Sequence, residues 1–394
     1  MSDAASTPDS LVTPLAQAAA VPVPPAYELA GRFTLTPNAH PATDAERAKA
    51  LTDLHFGKVF SDHMAHARWT RGEGWGSHET VAFGDISLSP AAAVLHYGQE
   101  VFEGIKAYRH ADGSIWTFRP RYNAARLNVS ARRLALPELP EEDFIASLVD
   151  LVRADQEWVP SGDGESLYLR PYMFASEAFL GVHSGGVIDY YVIASPSGAY
   201  FTHGLEPISI WVAQDFHRAG RGGTGFAKTG GNYASSLLPQ QEAAEQGCDQ
   251  VCFLDDVTEK NLEELGGMNI MVADADGTVR TPHLTGTILE GNTRSAIIRL
   301  LQDEGRRVVD EDLFHNGNDP SRRRYVEERS GGRLGYLHVP DMVSNGWAEL
   351  HRQIVERIVR RHAIFPLRQR AAVLPNAVHR RLRAIVGPAL DEAR

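Results

Sequence analysis

Cysteine is scarce in this chain of 394 residues: only Cys248 and Cys252 are present. A lone C-x-x-x-C pair supplies too few ligands for a structural zinc centre, and no other metal motif is read. Cys252 falls in the apolar run Gln-Val-Cys-Phe-Leu at 250–254, so both thiols are expected to be reduced core groups, as suits a reducing cytoplasm. No apolar run approaches the roughly 20 residues of a membrane span. No basic residue precedes Arg32, which argues against a signal peptide or an Arg-rich transit peptide. Residues 1–25, rich in Ala, Pro, Ser and Thr, are expected to form a disordered tail. Positive charge is in deficit: 39 Lys and Arg against 50 Asp and Glu leave a net charge of −11. That argues against a nucleic-acid partner, because such proteins gain most of their affinity by neutralising phosphates.

What is present is ordinary for a globular protein, with 43% hydrophobic and 23% charged residues, and long enough for two domains. Residues 26–200 mix short strands, expected at 114–118, 166–170 and 189–194, with a helix at 144–155 carrying apolar residues at helical spacing. Pro196-Ser197-Gly198 is a turn cluster suited to a hinge between domains. A second α/β region over 201–313 is expected to hold strands at 208–213, 250–254 and 269–272 and helices at 234–246 and 293–304. The fold class is therefore α/β: a small α+β domain and a larger α/β domain. Beyond 314 the composition reverses. Residues 315–394 hold 15 Arg, no Lys and 8 acidic residues, a net of +7 that leaves −18 for the rest. This basic segment is expected to be foreign to what precedes it.

The run Gly220-Arg221-Gly222-Gly223-Thr224-Gly225-Phe226-Ala227-Lys228-Thr229-Gly230-Gly231-Asn232-Tyr233 sets one lysine among glycines. Three chemistries compete for it. Gly220-x-Gly222-x-x-Gly225 fits a dinucleotide fingerprint, but that motif needs its glycines directly after a strand and opening a helix. Here residues 214–219 intervene, and Gly230-Gly231 are expected to interrupt the helix. A P-loop needs glycine where Ala227 stands, so its cradle of N–H groups would not form. The third reading makes Lys228 an amine that forms a Schiff base with pyridoxal phosphate. By itself the loop would equally suit an ordinary exposed lysine.

Pyridoxal phosphate makes further demands: a carboxylate to keep its ring nitrogen protonated, a helix N-terminus and a bidentate arginine for its phosphate, and a hydroxyl near its ring oxygen. Glu264 in Glu263-Glu264-Leu265-Gly266-Gly267-Met268-Asn269, expected at a strand entry, offers the carboxylate. Gly291-Asn292-Thr293-Arg294 opens a helix, Arg126 lies in Asn123-Ala124-Ala125-Arg126-Leu127, and Tyr233 follows Lys228 by five residues.

With these pieces in place, the chain from about 30 to 313 resembles the branched-chain amino-acid aminotransferases of the fold-type IV pyridoxal-phosphate class. The resemblance rests on long motifs: Leu95-His96-Tyr97-Gly98-Gln99-Glu100-Val101-Phe102-Glu103-Gly104-Ile105-Lys106-Ala107-Tyr108, Tyr168-Leu169-Arg170-Pro171, Lys228-Thr229-Gly230-Gly231-Asn232-Tyr233 and Leu284-Thr285-Gly286-Thr287-Ile288-Leu289. It implies that Lys228 is the catalytic Schiff-base lysine and proton shuttle, that Glu264 faces the ring nitrogen, and that Tyr233 bonds the ring oxygen. It further implies that Arg126 and the backbone N–H groups of Asn292 and Thr293 hold the phosphate. Tyr97, Phe102, Tyr168, Arg170 and Tyr200 resemble the substrate pocket, where a Tyr168–Arg170 pair would meet the distal carboxylate of glutamate. Implied partners are branched-chain amino acids with 2-oxoglutarate and glutamate, and a second copy of the chain in a cytoplasmic homodimer. A D-amino-acid aminotransferase or lyase of the same fold is the related alternative.

The resemblance stops near 313. The family continues into a Gly-Thr-Ala turn completing the phosphate side, and no Gly-Thr-Ala occurs at 314–394. Instead 316–358, with Gly335-Tyr336-Leu337-His338-Val339-Pro340, resembles a fragment of a tricorn-type peptidase core. No nucleophile-bearing region accompanies it, so His338 is read as a strand residue. A catalytically impaired remnant is the alternative that this departure raises.

Overall fold

The computed structural model describes residues 11–198, 207–274, 276–314 and 336–338. Two compact units divide the chain, one within Gln17–Thr202 and the other within Met1–Ala16 and His203–Arg360.

The first unit is built on an eight-stranded sheet. Its long central strands are His63–Thr70, Gly74–Ala82, Ser166–Ala175 and Val187–Ser197, all paired antiparallel with their neighbours among them. The helices Pro120–Arg133 and Glu141–Ala154 supply Leu127, Phe144, Leu148 and Leu151 to a core shared with Leu167, Leu169, Tyr190 and Val192 of the strands. Each such side chain, fully buried, contributes about 1.5–3 kcal/mol. Helix Glu141–Ala154 begins three residues before its first apolar residue, because Glu141, Glu142 and Asp143 fill its first turn, where negative charge complements the helix dipole. The strands expected at 166–170 and 189–194 extend to Ser166–Ala175 and Val187–Ser197, whereas that at 114–118 shrinks to Ile115–Thr117.

The second unit holds two four-stranded sheets. In one, Gln250–Leu254 runs parallel to Ile210–Val212 and antiparallel to Asn261–Leu265. In the other, Ile270–Ala273 lies between Val279–Thr281 and Tyr336–His338. The helix Asn292–Asp303 packs Ile297, Ile298 and Leu301 on Met271, Val279 and Val308.

Five sequence expectations require correction. Pro196 and Ser197, read as part of a hinge turn, are the paired end of strand Val187–Ser197, opposite Leu167 and Ser166. Leu11 and Leu15, assigned to a disordered tail, are buried, and Pro14–Ala18 is helical; Leu11 joins the apolar cluster under helix Asn292–Asp303. The single helix at 234–246 is two, Gly230–Ser235 and Leu237–Glu245. Pro239 explains the break, since it has no N–H to donate to Ser235 and its ring crowds that carbonyl. Gly230-Gly231 therefore begin a helix rather than interrupt one. Finally, Glu264 stands near the end of strand Asn261–Leu265, before a tight turn closed by the Leu265 N–H on the Met268 carbonyl, and not at a strand entry. Apart from 336–338, the tricorn-like and basic stretches lie outside the described residues. Among the described residues no helix is long and apolar enough to cross a membrane.

Candidate active site

Lys228 is 2% exposed and ends the glycine run just before helix Gly230–Ser235. Its Nζ donates to the Tyr233 hydroxyl at 2.5 Å and lies 4.8 Å from that ring's centre. Helical geometry brings them together: Thr229 caps the helix and Tyr233 occupies its fourth position. Asn232, also buried, fastens the run, since its amide donates to the carbonyls of Thr224 and Ala227, each at 2.8 Å, and accepts from the Thr224 hydroxyl. Gly225 is required by close approach: a Cβ there would sit 2.2 Å from the Thr287 carbonyl oxygen.

Glu264 is 2% exposed. Its Oε2 accepts from the Leu289 N–H at 3.0 Å and lies 3.0 Å from Nη1 of Arg218, while Oε1 accepts from the Asn269 amide at 3.3 Å. Arg218 Nη1 also donates to the carbonyls of Gly225 at 3.1 Å and Thr287 at 2.9 Å. One guanidinium thus joins the run before Lys228, the Glu264 carboxylate and the 284–289 loop. Neighbouring Glu263 takes hydroxyl donors instead, from Thr287 at 2.5 Å and Thr285 at 3.4 Å. Burial raises the Glu263 carboxyl above the usual carboxylate range, and burial pushes the Cys252 thiol up to about 12.

Asn269 links this carboxylate to the helix Asn292–Asp303. Its amide also donates to the Leu289 carbonyl at 2.8 Å, and its Oδ1 lies where a Cβ on Gly291 would fall, 2.1 Å away. Gly291 caps that helix in extended conformation. The N–H groups of such a first turn point along the axis and favour an anion. Asn292 is buried and Thr293 partly so.

In the first unit, Arg126 and Glu103 have fully buried side chains. Nε and Nη2 of Arg126 each donate to Glu103 at 2.8 Å, and the Asn123 amide adds a bond of 2.8 Å to that carboxylate. Tyr168, Arg170 and Phe102 form one group: Nη2 of Arg170 donates to the Tyr168 hydroxyl at 2.9 Å, and its guanidinium stands 4.7 Å from the Phe102 ring centre. Among the described residues no carboxylate pairs with Arg170. Tyr97 has other partners, donating to the Leu180 carbonyl and stacking on Phe179. Tyr200 lies outside the described residues.

An amine against a phenol, a guanidinium-paired carboxylate and a helix N-terminus make a donor set that fits pyridoxal phosphate. Sequence reading missed Arg218, Asn232, Asn269, Glu263, Thr287 and Glu103. Of these only Arg218 lies outside the motifs quoted from the sequence; the other five stand inside them.

Residues 100–315 match the family described as amino-transferase class IV, and the chain belongs to that family. It is 53% identical over 277 residues to the branched-chain-amino-acid aminotransferase of Mycolicibacterium smegmatis, covering 69% of this chain and 75% of that one. Among solved structures, the branched-chain amino acid aminotransferase of Escherichia coli is 31% identical with a TM-score of 0.53, covering 63% of this chain and 78% of that one. A second solved branched-chain amino acid aminotransferase, in complex with pyridoxamine 5'-phosphate, is 27% identical with a TM-score of 0.50, covering 63% of this chain and 77% of that one.

Proposed function

We propose that this chain transfers the amino group of leucine, isoleucine or valine to 2-oxoglutarate, giving the branched 2-oxo acid and glutamate, with pyridoxal 5'-phosphate bound at Lys228. The observation that carries it is the buried Lys228 amine on the Tyr233 phenol, in a unit that also buries the Arg218-paired Glu264. The relatives' names and the pyridoxamine-phosphate complex support the choice of substrate and cofactor. When bound, the cofactor supplies an electron sink for the substrate's Cα carbanion.

The chain's own residues do the rest. Lys228 holds the cofactor and moves the proton at the substrate Cα, general acid–base work suited to an amine out of water. Glu264 holds a proton at the ring nitrogen, and Tyr233 orients the ring oxygen. The first turn of helix Asn292–Asp303 binds the phosphate; for Arg126, buried on Glu103, the same role rests on the family resemblance alone. Tyr168 and Arg170, with Phe102, form a wall able to take an aliphatic side chain by apolar contact or a distal carboxylate by charge-assisted bonds. We place the enzyme in the cytoplasm as a homodimer.

Purified protein given pyridoxal phosphate should develop a visible absorbance band that Lys228→Ala lacks, and should convert leucine and 2-oxoglutarate to glutamate. A wild-type chain that takes up no cofactor sinks this reading. A second reading, a remnant that does not turn over, has its own support: the family match ends at 315 and no Gly-Thr-Ala follows. Transamination by the intact chain would eliminate it.

A further inference from the structure

We propose that Arg218 is a positioning residue for the reaction, fixing Glu264 as the ionised carboxylate and thereby keeping the proton on the cofactor's ring nitrogen. This rests on the function proposed above.

Two adjacent glutamates, 263 and 264, are both buried, at 4% and 2% exposure. A carboxylate out of water ionises cheaply only where a charge or strong donors meet it. The Arg218 guanidinium meets one member of the pair: its Nη1 is 3.0 Å from Glu264, whereas Glu263 has threonine hydroxyls. The guanidinium is itself 4% exposed and has no other carboxylate among the described residues. Its position cannot drift, because two backbone carbonyls, of Gly225 and Thr287, hold the same nitrogen. Its charge cannot be lost either, since arginine stays protonated in proteins.

An opposite charge at hydrogen-bond distance lowers a carboxyl pKa by about 1–3 units. With Arg218 in place, Glu264 is too weak a base to draw the proton off the ring nitrogen. Without that charge, burial raises its basicity, and the same proton moves from nitrogen to carboxylate with nothing else gained or lost. The other titratable groups around the pair are Cys252 on the adjacent strand, Asp255 and Asp256, which act on Glu263, and Lys228 and Tyr233 on the run that Arg218 anchors.

The test compares Arg218→Gln, Arg218→Lys, Glu264→Gln and Arg218→Gln/Glu264→Gln in the pyridoxal-phosphate-loaded protein. Glutamine can still donate to the two carbonyls but carries no charge; lysine keeps the charge. The measured quantity is the pH midpoint of the cofactor's absorbance change, with melting temperatures of the apo forms alongside. Loss of positive charge beside the ring makes the Lys228-linked nitrogen easier to protonate. Arg218→Gln should therefore raise the midpoint by about one unit, a tenfold change in proton affinity. Arg218→Lys should restore most of the wild-type midpoint, and the double variant should match Glu264→Gln alone, because Arg218 acts through Glu264. If Arg218→Gln does not load, the midpoint of Arg218→Lys decides: near wild type supports the proposal, and a full-unit rise overturns it. Equal midpoints for glutamine and lysine, or additive shifts in the double variant, would also overturn it while leaving transamination standing. A wild-type chain that never binds cofactor would remove both.

Discussion

Lys106 offers a test of the fold that does not depend on catalysis. It lies in strand Ile105–Arg109, opposite Tyr168 on the neighbouring strand, and is 6% exposed. Among the described residues no carboxylate or hydrogen-bond acceptor meets its ammonium. Burial alone lowers its pKa from 10.5 to about 8. The folded value lies below the unfolded one, so the folded state bears the full cost of the charge below pH 8. Between about pH 8 and 10.4 the unfolded chain binds a proton that the folded chain does not, and stability rises with pH. At about 1.4 kcal/mol per unit, the cost at pH 7 is about 3 kcal/mol.

Lys106→Met removes the charge at nearly constant volume. Urea unfolding of the apo chain can be followed by tryptophan fluorescence, four of the six tryptophans (Trp69, Trp75, Trp116 and Trp158) lying in the same unit. The variant should be more stable at pH 7, by up to about 3 kcal/mol, and its advantage should shrink to within about 1 kcal/mol by pH 10. A gap that stays constant across that range would refute the burial of an unpaired ammonium, because only titration of residue 106 can make the difference pH-dependent.

The Glu103–Arg126 pair should behave oppositely. Glu103→Leu alone strands a buried guanidinium and should cost about 3–5 kcal/mol, while Glu103→Leu with Arg126→Met should cost far less than the two singles summed; a double-mutant cycle in urea measures this. Gly225→Ala, forced against the Thr287 carbonyl, should destabilise the chain by about 1–3 kcal/mol and weaken cofactor uptake. A wild-type absorbance titration for that variant would mean that the run has room to spare.

Legibility followed the range of the interactions. Helix Glu141–Ala154 and strand Gln250–Leu254 could be read from apolar spacing, which is local. Lys228 with Tyr233 was legible too, since five residues on a helix entry bring the two side chains together. Arg218 was not: its partners lie 7 residues away at Gly225 and 69 away at Thr287, and nothing beside it in sequence marks it off from a surface arginine. Strand Asn261–Leu265 was missed because its consecutive glutamates break the usual polar–apolar alternation. Both faces of that strand are buried, and each carboxyl is met by a different set of donors. The helix break at Ser236 was visible in principle, through Pro239, but the apolar pattern ran across it.

That strand carries a consequence of its own. Successive strand residues face opposite ways, and a one-residue slip exchanges the faces. Glu263 and Glu264 are chemically identical, so pairing register alone decides which one the guanidinium meets and which one the threonines meet. Loop 255–260, which joins the strand to its antiparallel partner Gln250–Leu254 and is closed by the Asp255 N–H on the Asn261 carbonyl, is therefore a spacer that decides which carboxylate meets a charge. Adding or deleting one residue there would leave the composition of the site untouched and still exchange the glutamate that meets the guanidinium for the one that meets the threonines.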